Sequence, residues 1–444
     1  MSTELLSPAG TLKSMRYAFA YGADAVYAGQ PRYSLRVRNN EFNKIENLAL
    51  AVEEAHSQGK QFYLASNIAP HNDKVRSYIR DLQPVIDMQP DALIMSDPGL
   101  IMLVREKWPD QPIHLSVQAN AVNYAAVKFW AKQGIERVIL SRELSIEEIA
   151  EISEQCPEVE LEVFVHGALC IAYSGRCLLS GYMTHRDSNQ GACTNSCRWE
   201  YNTHSAKENE TGDLIAVDVA SPPQPQPTDE SSGLAVLLQE KSRPGEYMPA
   251  YEDEHGTYIM NSKDLRAVQH VGRLVNMGIK SLKIEGRSKS HYYVARTAQV
   301  YRQAIDAADA GKEFDFQLMR ELEHLANRGY TEGFYRRHVP NEYQNYEKGV
   351  SNNSSQQFVA EVADFESNTG TLTLDIKNQF SCGDLMELIT PEGNIQFRVE
   401  QLENKKGKQV STAPGSGHVL KTTVPNLPKS FDGSYAMLMR HIGA

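Results

Sequence analysis

Arg137-Val-Ile-Leu-Ser-Arg-Glu-Leu-Ser-Ile-Glu-Glu-Ile-Ala-Glu-Ile-Ser-Glu-Gln-Cys-Pro-Glu-Val-Glu-Leu-Glu-Val-Phe-Val165 spells out one strand–helix–strand unit. Its two ends, Arg137–Leu140 and Glu160–Val165, are short aliphatic runs of strand length. Between them, Leu144–Gln155 carries apolar residues at helical spacing. Ser145, with Glu148 three residues on, forms a capping box that starts this helix. The unit recurs towards the N-terminus, with strands expected at Glu4–Ser7, Ala25–Ala28, Gln61–Ser66, Ala92–Ser96 and Ile113–Val117. Strand starts fall 21 to 36 residues apart. Alternating strands and helices imply a parallel sheet, and seven or eight such units predict a closed (β/α)8, TIM-like barrel. An open doubly wound sheet is the alternative, but no Gly-x-Gly-x-x-Gly follows any strand.

The pattern breaks from about 202 to 250, where Pro222-Pro-Gln-Pro-Gln-Pro227 marks a polar, proline-rich insertion expected to be mobile. Barrel pattern resumes at Tyr258–Met260, followed by a helix expected over Ser262–Met277 and a strand over Ser281–Ile284. Helices are expected at 291–312 and 316–327. The catalytic barrel thus occupies residues 1–340 and a linker occupies 341–357. A small all-β barrel follows at 358–444, its strands read at Phe358–Asp364, Thr371–Ile376, Asp384–Ile389 and Asn394–Leu402.

The chain has 444 residues, 41% of them hydrophobic and 23% charged, as in ordinary globular proteins. Its opening, Met1-Ser-Thr-Glu-Leu-Leu-Ser-Pro8, has neither the basic nor the apolar region of a secretion signal. No apolar run approaches the ~20 residues of a membrane span. The expected location is the cytoplasm. A net charge of −11 argues against indiscriminate nucleic-acid binding, because phosphate affinity comes from clustered Lys and Arg. Local basic patches survive, among them Arg36 and Arg38 beside Tyr33, and Arg336 and Arg337 beside Tyr335. Arginines interleaved with aromatics suit an RNA loop; a solvated surface is the plainer reading of any single patch.

Four of the six cysteines, Cys170, Cys177, Cys193 and Cys197, fall within 28 residues. Clustered thiols in a chain without a secretion signal point to metal rather than disulfides. Four thiolates select zinc or an iron–sulfur cluster. The wide Cys-x6-Cys-x15-Cys-x3-Cys spacing suits a cubane-type cluster better than the tight knuckles of structural zinc. Small buried residues with a stray thiol remain the plain alternative.

In such barrels chemistry sits where the strands end. Residues expected there are Pro8-Ala-Gly10, Asn67, Ser96-Asp97, Gln118, Asn120, Arg142-Glu143, His166-Gly167, Asn261-Ser262 and Glu285-Gly-Arg287. Cys170 begins five residues past the last strand of the opening unit, so a cluster would cap this same face. His166, Gln118 and Glu143 are the candidate catalytic residues, although a core histidine and loop-satisfying amides are the duller readings. Arg142, Lys283 and Arg287 form a candidate anion pocket, unless Glu143 and Glu285 neutralise them internally. His-Glu-x-x-His and Gly-x-Ser-x-Gly are absent; Cys170 with His166 offers a nucleophile pair only by removing a thiolate from the set of four.

The segment Glu162-Val-Phe-Val-His-Gly-Ala-Leu-Cys170-x6-Cys177-Leu-Leu-Ser180-Gly resembles the signature of the collagenase-like peptidase family U32. Glu4-Leu-Leu-Ser-Pro-Ala-Gly10, Gly22-Ala-Asp-Ala-Val-Tyr-Ala-Gly29 and Phe380-Ser-Cys-Gly-Asp384 with Thr390-Pro-Glu-Gly393 extend the likeness over nearly the whole chain. Within the family, the segments 21–40 and 189–201 look most like a tRNA-modifying branch. The resemblance implies a 4Fe-4S cluster on Cys170, Cys177, Cys193 and Cys197. It also implies oxygen-independent hydroxylation of the wobble uridine in the tRNA anticodon loop to 5-hydroxyuridine, with prephenate as co-substrate. Peptide hydrolysis, which the family name suggests, is the other activity it implies. Neither Cys156 nor Cys382 is given a role.

Overall fold

The computed structural model describes residues 2–35, 40–169, 180, 194, 196, 199, 201–208, 214–217, 235–240, 247–253, 256–257, 264–325, 329–336 and 356–442. Eight strands build the barrel: β1 Glu4–Pro8, β2 Ala25–Gly29, β3 Gln61–Ser66, β4 Ala92–Met95, β5 Ile113–Leu115, β6 Arg137–Ile139, β7 Glu160–Ala168 and β8 Ser281–Ile284. Each pairs in parallel with the next from β1 to β7. β8 pairs in parallel with both β7 and β1, which closes the cylinder. The strands are buried along almost their whole length because helices cover the outside, so they need aliphatic residues on both faces. The helix between β6 and β7 runs Ile146–Gln155. Ser145 caps it as its sequence requires: the Ser145 N–H donates to Glu148 Oε2 at 2.8 Å, and the Glu148 N–H donates to Ser145 Oγ at 3.3 Å.

Two expectations change between β7 and β8. Ser262–Met277 is not one helix. Asp264–Arg266 is a short strand antiparallel to β7, and the helix is confined to Val271–Asn276. Asp264 and Leu265 also pair with Tyr330 and Thr331, so this strand is held from both sides. The stretch read as a polar insertion carries an antiparallel five-stranded sheet formed by Tyr201–Glu208, Leu214–Val217, Ala235–Glu240, Tyr247–Asp253 and Gly256–Thr257. The expected strand Tyr258–Met260 lies outside the described residues.

Residues 356–442 form an antiparallel all-β domain with its own core, including Leu372, Leu374, Phe380, Met386, Leu388 and Leu438. It is riveted to the barrel at one buried charge. Arg296, fully buried on the helix His291–Asp309, meets Glu387 of the β domain at 2.9 Å and Glu321 at 2.6 Å. Burial alone would push the Glu387 carboxyl up, but Arg296 and a hydrogen bond from Gln356 hold it below the ordinary carboxylate range. Tyr21 Oη donates to the Ile389 carbonyl and Gln299 Nε2 to the Thr390 carbonyl, adding two fixed points beside it. Among the described residues, no helix is long and apolar enough to cross a membrane.

Candidate functional site

The barrel interior is charged at its floor. Arg137 of β6 reaches Glu4 of β1 at 2.7 Å and Glu162 of β7 at 3.3 Å, and Lys283 of β8 meets Glu162 at 2.7 Å. Ser281 and Tyr63 donate to the two oxygens of Glu4 at 2.7 and 2.6 Å. All of these side chains are nearly inaccessible, so each charge is stable only because its partner is present. Burial pulls the Lys283 ammonium below its ordinary range although Glu162 opposes the shift. Lys283 was expected to face an anionic substrate, or else Glu143 or Glu285. It is paired with Glu162 and also stands 4.3 Å from the centre of the Tyr27 ring and 5.5 Å from that of Phe164, so it links the floor to the mouth.

The mouth lies one layer above. Arg142, just past β6, places its guanidinium carbon 3.9 Å from the centre of the Phe164 ring. It donates Nη1 to the carbonyl of Ala168 at 3.1 Å and comes within 3.9 Å of Glu285 Oε2. Glu285 also accepts from Tyr27 Oη at 3.2 Å. On the other side of Tyr27 sits Arg287, its guanidinium 5.6 Å from the ring centre and donating Nη2 to the Leu35 carbonyl at 2.9 Å. Glycine makes room for this: a Cβ on Gly29 would collide with Ser34 Oγ and stand 2.8 Å from Arg287 Nη1. Gly167 serves the same end at φ +107°, where a Cβ would strike the Glu285 carbonyl. All three expected cations therefore stand against the Tyr27 or Phe164 ring, Arg142 and Arg287 at the mouth and Lys283 reaching up from the floor.

Beside them stand uncharged groups. Asn67 Nδ2 donates to Ser116 Oγ at 3.2 Å and Gln118 Oε1 at 3.0 Å, while its Oδ1 accepts from the Leu35 N–H at 3.3 Å. Gln118 also accepts from Ser116, so its carbonyl is committed. Its amide NH2 makes no hydrogen bond among the described residues. Glu143 accepts from Ser141 at the same rim. Asn67 was expected at the mouth from sequence; Ser116, Ser141 and Tyr27 went unremarked, although each lies in or shortly after a barrel strand.

His166 is a correction. It is 1% exposed and lies among the rings of Tyr293, Tyr301 and Tyr330, with Nδ1 3.4 Å from Tyr301 Oη. Burial, reinforced by the Arg266 and Lys289 charges, pushes its pKa down to about 3. It is a buried, neutral imidazole packed among phenol rings, the core histidine that was the duller of the two readings. Tyr33 and Tyr335 are corrections too. Tyr33 is 1% exposed and bonds Asp81 and Ser77; Tyr335 is buried and donates to the Phe164 carbonyl at 2.7 Å. Neither offers a ring for stacking. Arg336 lies on the rim, well exposed and paired with Glu332 at 3.1 Å. Arg36, Arg38, Arg337 and Asn261-Ser262 lie outside the described residues.

Cys170, Cys177, Cys193 and Cys197 also lie outside them, and among the described residues no group of three His, Cys, Asp or Glu side chains is placed to hold a metal. The stretch carrying the cysteines leaves β7 at Ala168, whose carbonyl Arg142 holds, so it departs from the mouth itself. Its described residues Ser180, Thr194 and Ser196 share hydrogen bonds, joining the segment after Cys177 to that between Cys193 and Cys197. Four soft thiolate donors on two such joined segments fit an iron–sulfur cluster.

The chain matches the profile of Peptidase family U32 over residues 10–345 and that of the Peptidase family U32 C-terminal domain over residues 354–440. It is 61% identical over 446 aligned residues to the tRNA hydroxylation protein P of Escherichia coli, covering 99% of this chain and 96% of that one. The Haemophilus influenzae protein of the same name is 59% identical over 99% of this chain and 96% of its own length. The Escherichia coli 23S rRNA 5-hydroxycytidine C2501 synthase is 30% identical, over 78% of this chain and 44% of the synthase. A charged barrel floor, a cationic mouth, a cysteine stretch rising from that mouth and an appended β domain are thus the form taken here by a member of Peptidase family U32.

Proposed function

We propose that this protein hydroxylates the wobble uridine of tRNA to 5-hydroxyuridine without molecular oxygen, using a 4Fe-4S cluster on Cys170, Cys177, Cys193 and Cys197 and prephenate as co-substrate. The observation that carries the reading is the near-complete, 61% identity to a relative named for tRNA hydroxylation. The rRNA 5-hydroxycytidine synthase supports it, since hydroxylation of a pyrimidine in RNA is common to both names. When bound, the cluster would supply electron transfer. The chain's own residues do the rest. Arg142 and Arg287 both stand at the mouth, and a dicarboxylate such as prephenate matches two forked guanidiniums. The Gln118 NH2, its carbonyl held by the buried Asn67 and Ser116, is the kind of neutral group that reads the edge of a splayed base. A wobble base is already unpaired, so the mouth needs only to receive it.

The deciding experiment is mass spectrometry of tRNA nucleosides from a deletion strain and from the same strain complemented. Loss of 5-hydroxyuridine and its derivatives in the deletion, restored by the gene, is expected; an unchanged nucleoside profile would overturn the reading.

Arg142→Ala and Arg287→Ala are each expected to lower tRNA hydroxylation about 10–100-fold, the worth of one charge-assisted hydrogen bond, while iron content and tRNA affinity stay at wild-type values. Normal modification by either variant would place the anion pocket elsewhere on the mouth. Neutralising Arg36, Arg38, Arg336 and Arg337 together should weaken tRNA binding and flatten its salt dependence by about 0.7–0.9 in log–log slope for each phosphate no longer neutralised. An unaltered slope in that quadruple variant would remove these arginines from the RNA surface.

A further inference from the structure

Leu35 ties two parts of the mouth together. Its carbonyl accepts from Arg287 Nη2 at 2.9 Å, and its N–H donates to Asn67 Oδ1 at 3.3 Å. A peptide N–H can only donate, so the oxygen of the Asn67 amide must face Leu35 and its NH2 must face away. That NH2 gives its two hydrogens to Ser116 Oγ at 3.2 Å and Gln118 Oε1 at 3.0 Å. Ser116 Oγ donates to the same Gln118 oxygen. The orientation of the Gln118 amide is therefore dictated, two steps removed, by a backbone group. Turned over, its NH2 would face the Asn67 NH2. Turning Asn67 with it would set that group against the Leu35 N–H.

Asn67 and Ser116 are 7% and 2% exposed, so water does not relieve either mismatch. Ser96 Oγ donates to the Asn67 carbonyl at 3.3 Å and the Ser116 N–H to the Met95 carbonyl at 2.6 Å, which pins both residues at the backbone. Gln118 is half-buried on the turn Val117–Ala119 that follows β5, and its NH2 makes no hydrogen bond among the described residues. A donor held in one orientation discriminates where an adaptable amide does not. Uracil offers an acceptor, its 4-oxo oxygen, at the ring position where cytosine offers a 4-amino donor. The 2-oxo group is common to both.

We propose that Gln118 selects uracil over cytosine by donating its NH2 to the 4-oxo oxygen of the base, and that Asn67 fixes the amide in that sense. The proposal rests on the pyrimidine-hydroxylation reading above and deepens it by naming the residues that choose the base. Gln118 is a specificity-determining residue. Asn67, its amide wholly committed to protein partners, is a positioning residue.

The test gives the full-length, anaerobically reconstituted protein two anticodon stem–loops that differ only in uridine or cytidine at the wobble position. Affinity for each loop and the ratio of 5-hydroxyuridine to 5-hydroxycytidine formed in competition are measured. Wild type is expected to prefer the uridine loop in both. Gln118→Ala should shrink that preference ~10–100-fold by weakening the uridine loop alone. Gln118→Glu still accepts from Asn67 and Ser116 but turns an acceptor to the base, and should move the preference past parity towards cytidine. Asn67→Asp should move it the same way, because its second oxygen draws the Gln118 NH2 inward and turns Oε1 outward. Wild-type ratios in Gln118→Ala and Gln118→Glu would overturn the proposal. Equal losses on both loops would also overturn it, by showing that the amide serves the fold or the chemistry rather than the choice. A wild type without preference would do the same. A wild type that binds the uridine loop selectively but hydroxylates neither would instead sink the hydroxylation reading, with the affinity ratios of the variants still judging the amide.

Discussion

Serine in place of any one of Cys170, Cys177, Cys193 or Cys197 is expected to bleach the anaerobically purified protein and abolish tRNA hydroxylation. A neutral hydroxyl is a poor substitute for a thiolate on iron, and a cubane cluster short of one protein ligand exposes a labile corner. The controls lie elsewhere in the same chain. Cys156 is buried against the helix layer, with Sγ 3.5 Å from the Tyr124 carbonyl, and burial raises its thiol pKa. Cys382 belongs to the β domain, near the Val410 carbonyl. Cys156→Ser and Cys382→Ser should therefore keep both colour and activity. Iron quantified per chain decides the matter: full iron in Cys193→Ser protein would remove that residue from the ligand set.

The second large effect is on stability and involves no cluster. Glu162 is fully buried between Arg137 and Lys283, and its bond to Lys283 crosses from β7 to β8, where the barrel closes. Glu162→Gln leaves Lys283 buried against a neutral amide and Arg137 to Glu4 and Glu160, which should cost about 3–5 kcal/mol of unfolding free energy. Lys283 can escape by shedding its proton, a direction in which burial already draws it, whereas Arg137 cannot. Glu162→Gln combined with Lys283→Met should therefore recover part of the loss. Chemical denaturation of the four proteins closes the cycle. A single-variant cost below about 1 kcal/mol would mean that water or another carboxylate already compensates these cations.

The barrel was legible because its strands are aliphatic runs of strand length. Gln61–Ser66 and Ser281–Ile284 appear in the structure with the same ends the sequence suggested. Asp264–Arg266 was not legible: one leucine between two charges carries no strand pattern, and its pairing with β7 and with Tyr330–Thr331 holds it in place. Nor was the side on which His166 would fall. Simple alternation continues Glu162 and Phe164 inward to His166, but the ladder between β7 and β8 shifts register at Lys283 and Ile284, and His166 ends among tyrosines. Tyr33 and Tyr335 misled for a related reason. A phenol is apolar except at its tip, and each tip finds an acceptor that sequence does not reveal, the carboxylate of Asp81 for Tyr33 and the Phe164 carbonyl for Tyr335. The floor charges left a trace in the period-two pairs Glu160-x-Glu162 and Ser281-x-Lys283, the spacing of side chains on one face of a strand.

Closure by β8 also has a consequence in time. β7 ends at Ala168, and the strand that seals it to β1 begins only at Ser281, more than a hundred residues later. At ordinary elongation rates of ~5–20 residues per second, the ribosome takes several seconds or more to bridge that interval. Throughout it, β1 and β7 are open edges able to pair with a stranger. All four cysteines of the cluster motif are synthesised within that interval, before the sealing strand exists. Nascent chains of this protein accordingly present thiols and unpaired strands together, so shielding of the thiols and protection from aggregation fall to the same brief stage of its birth.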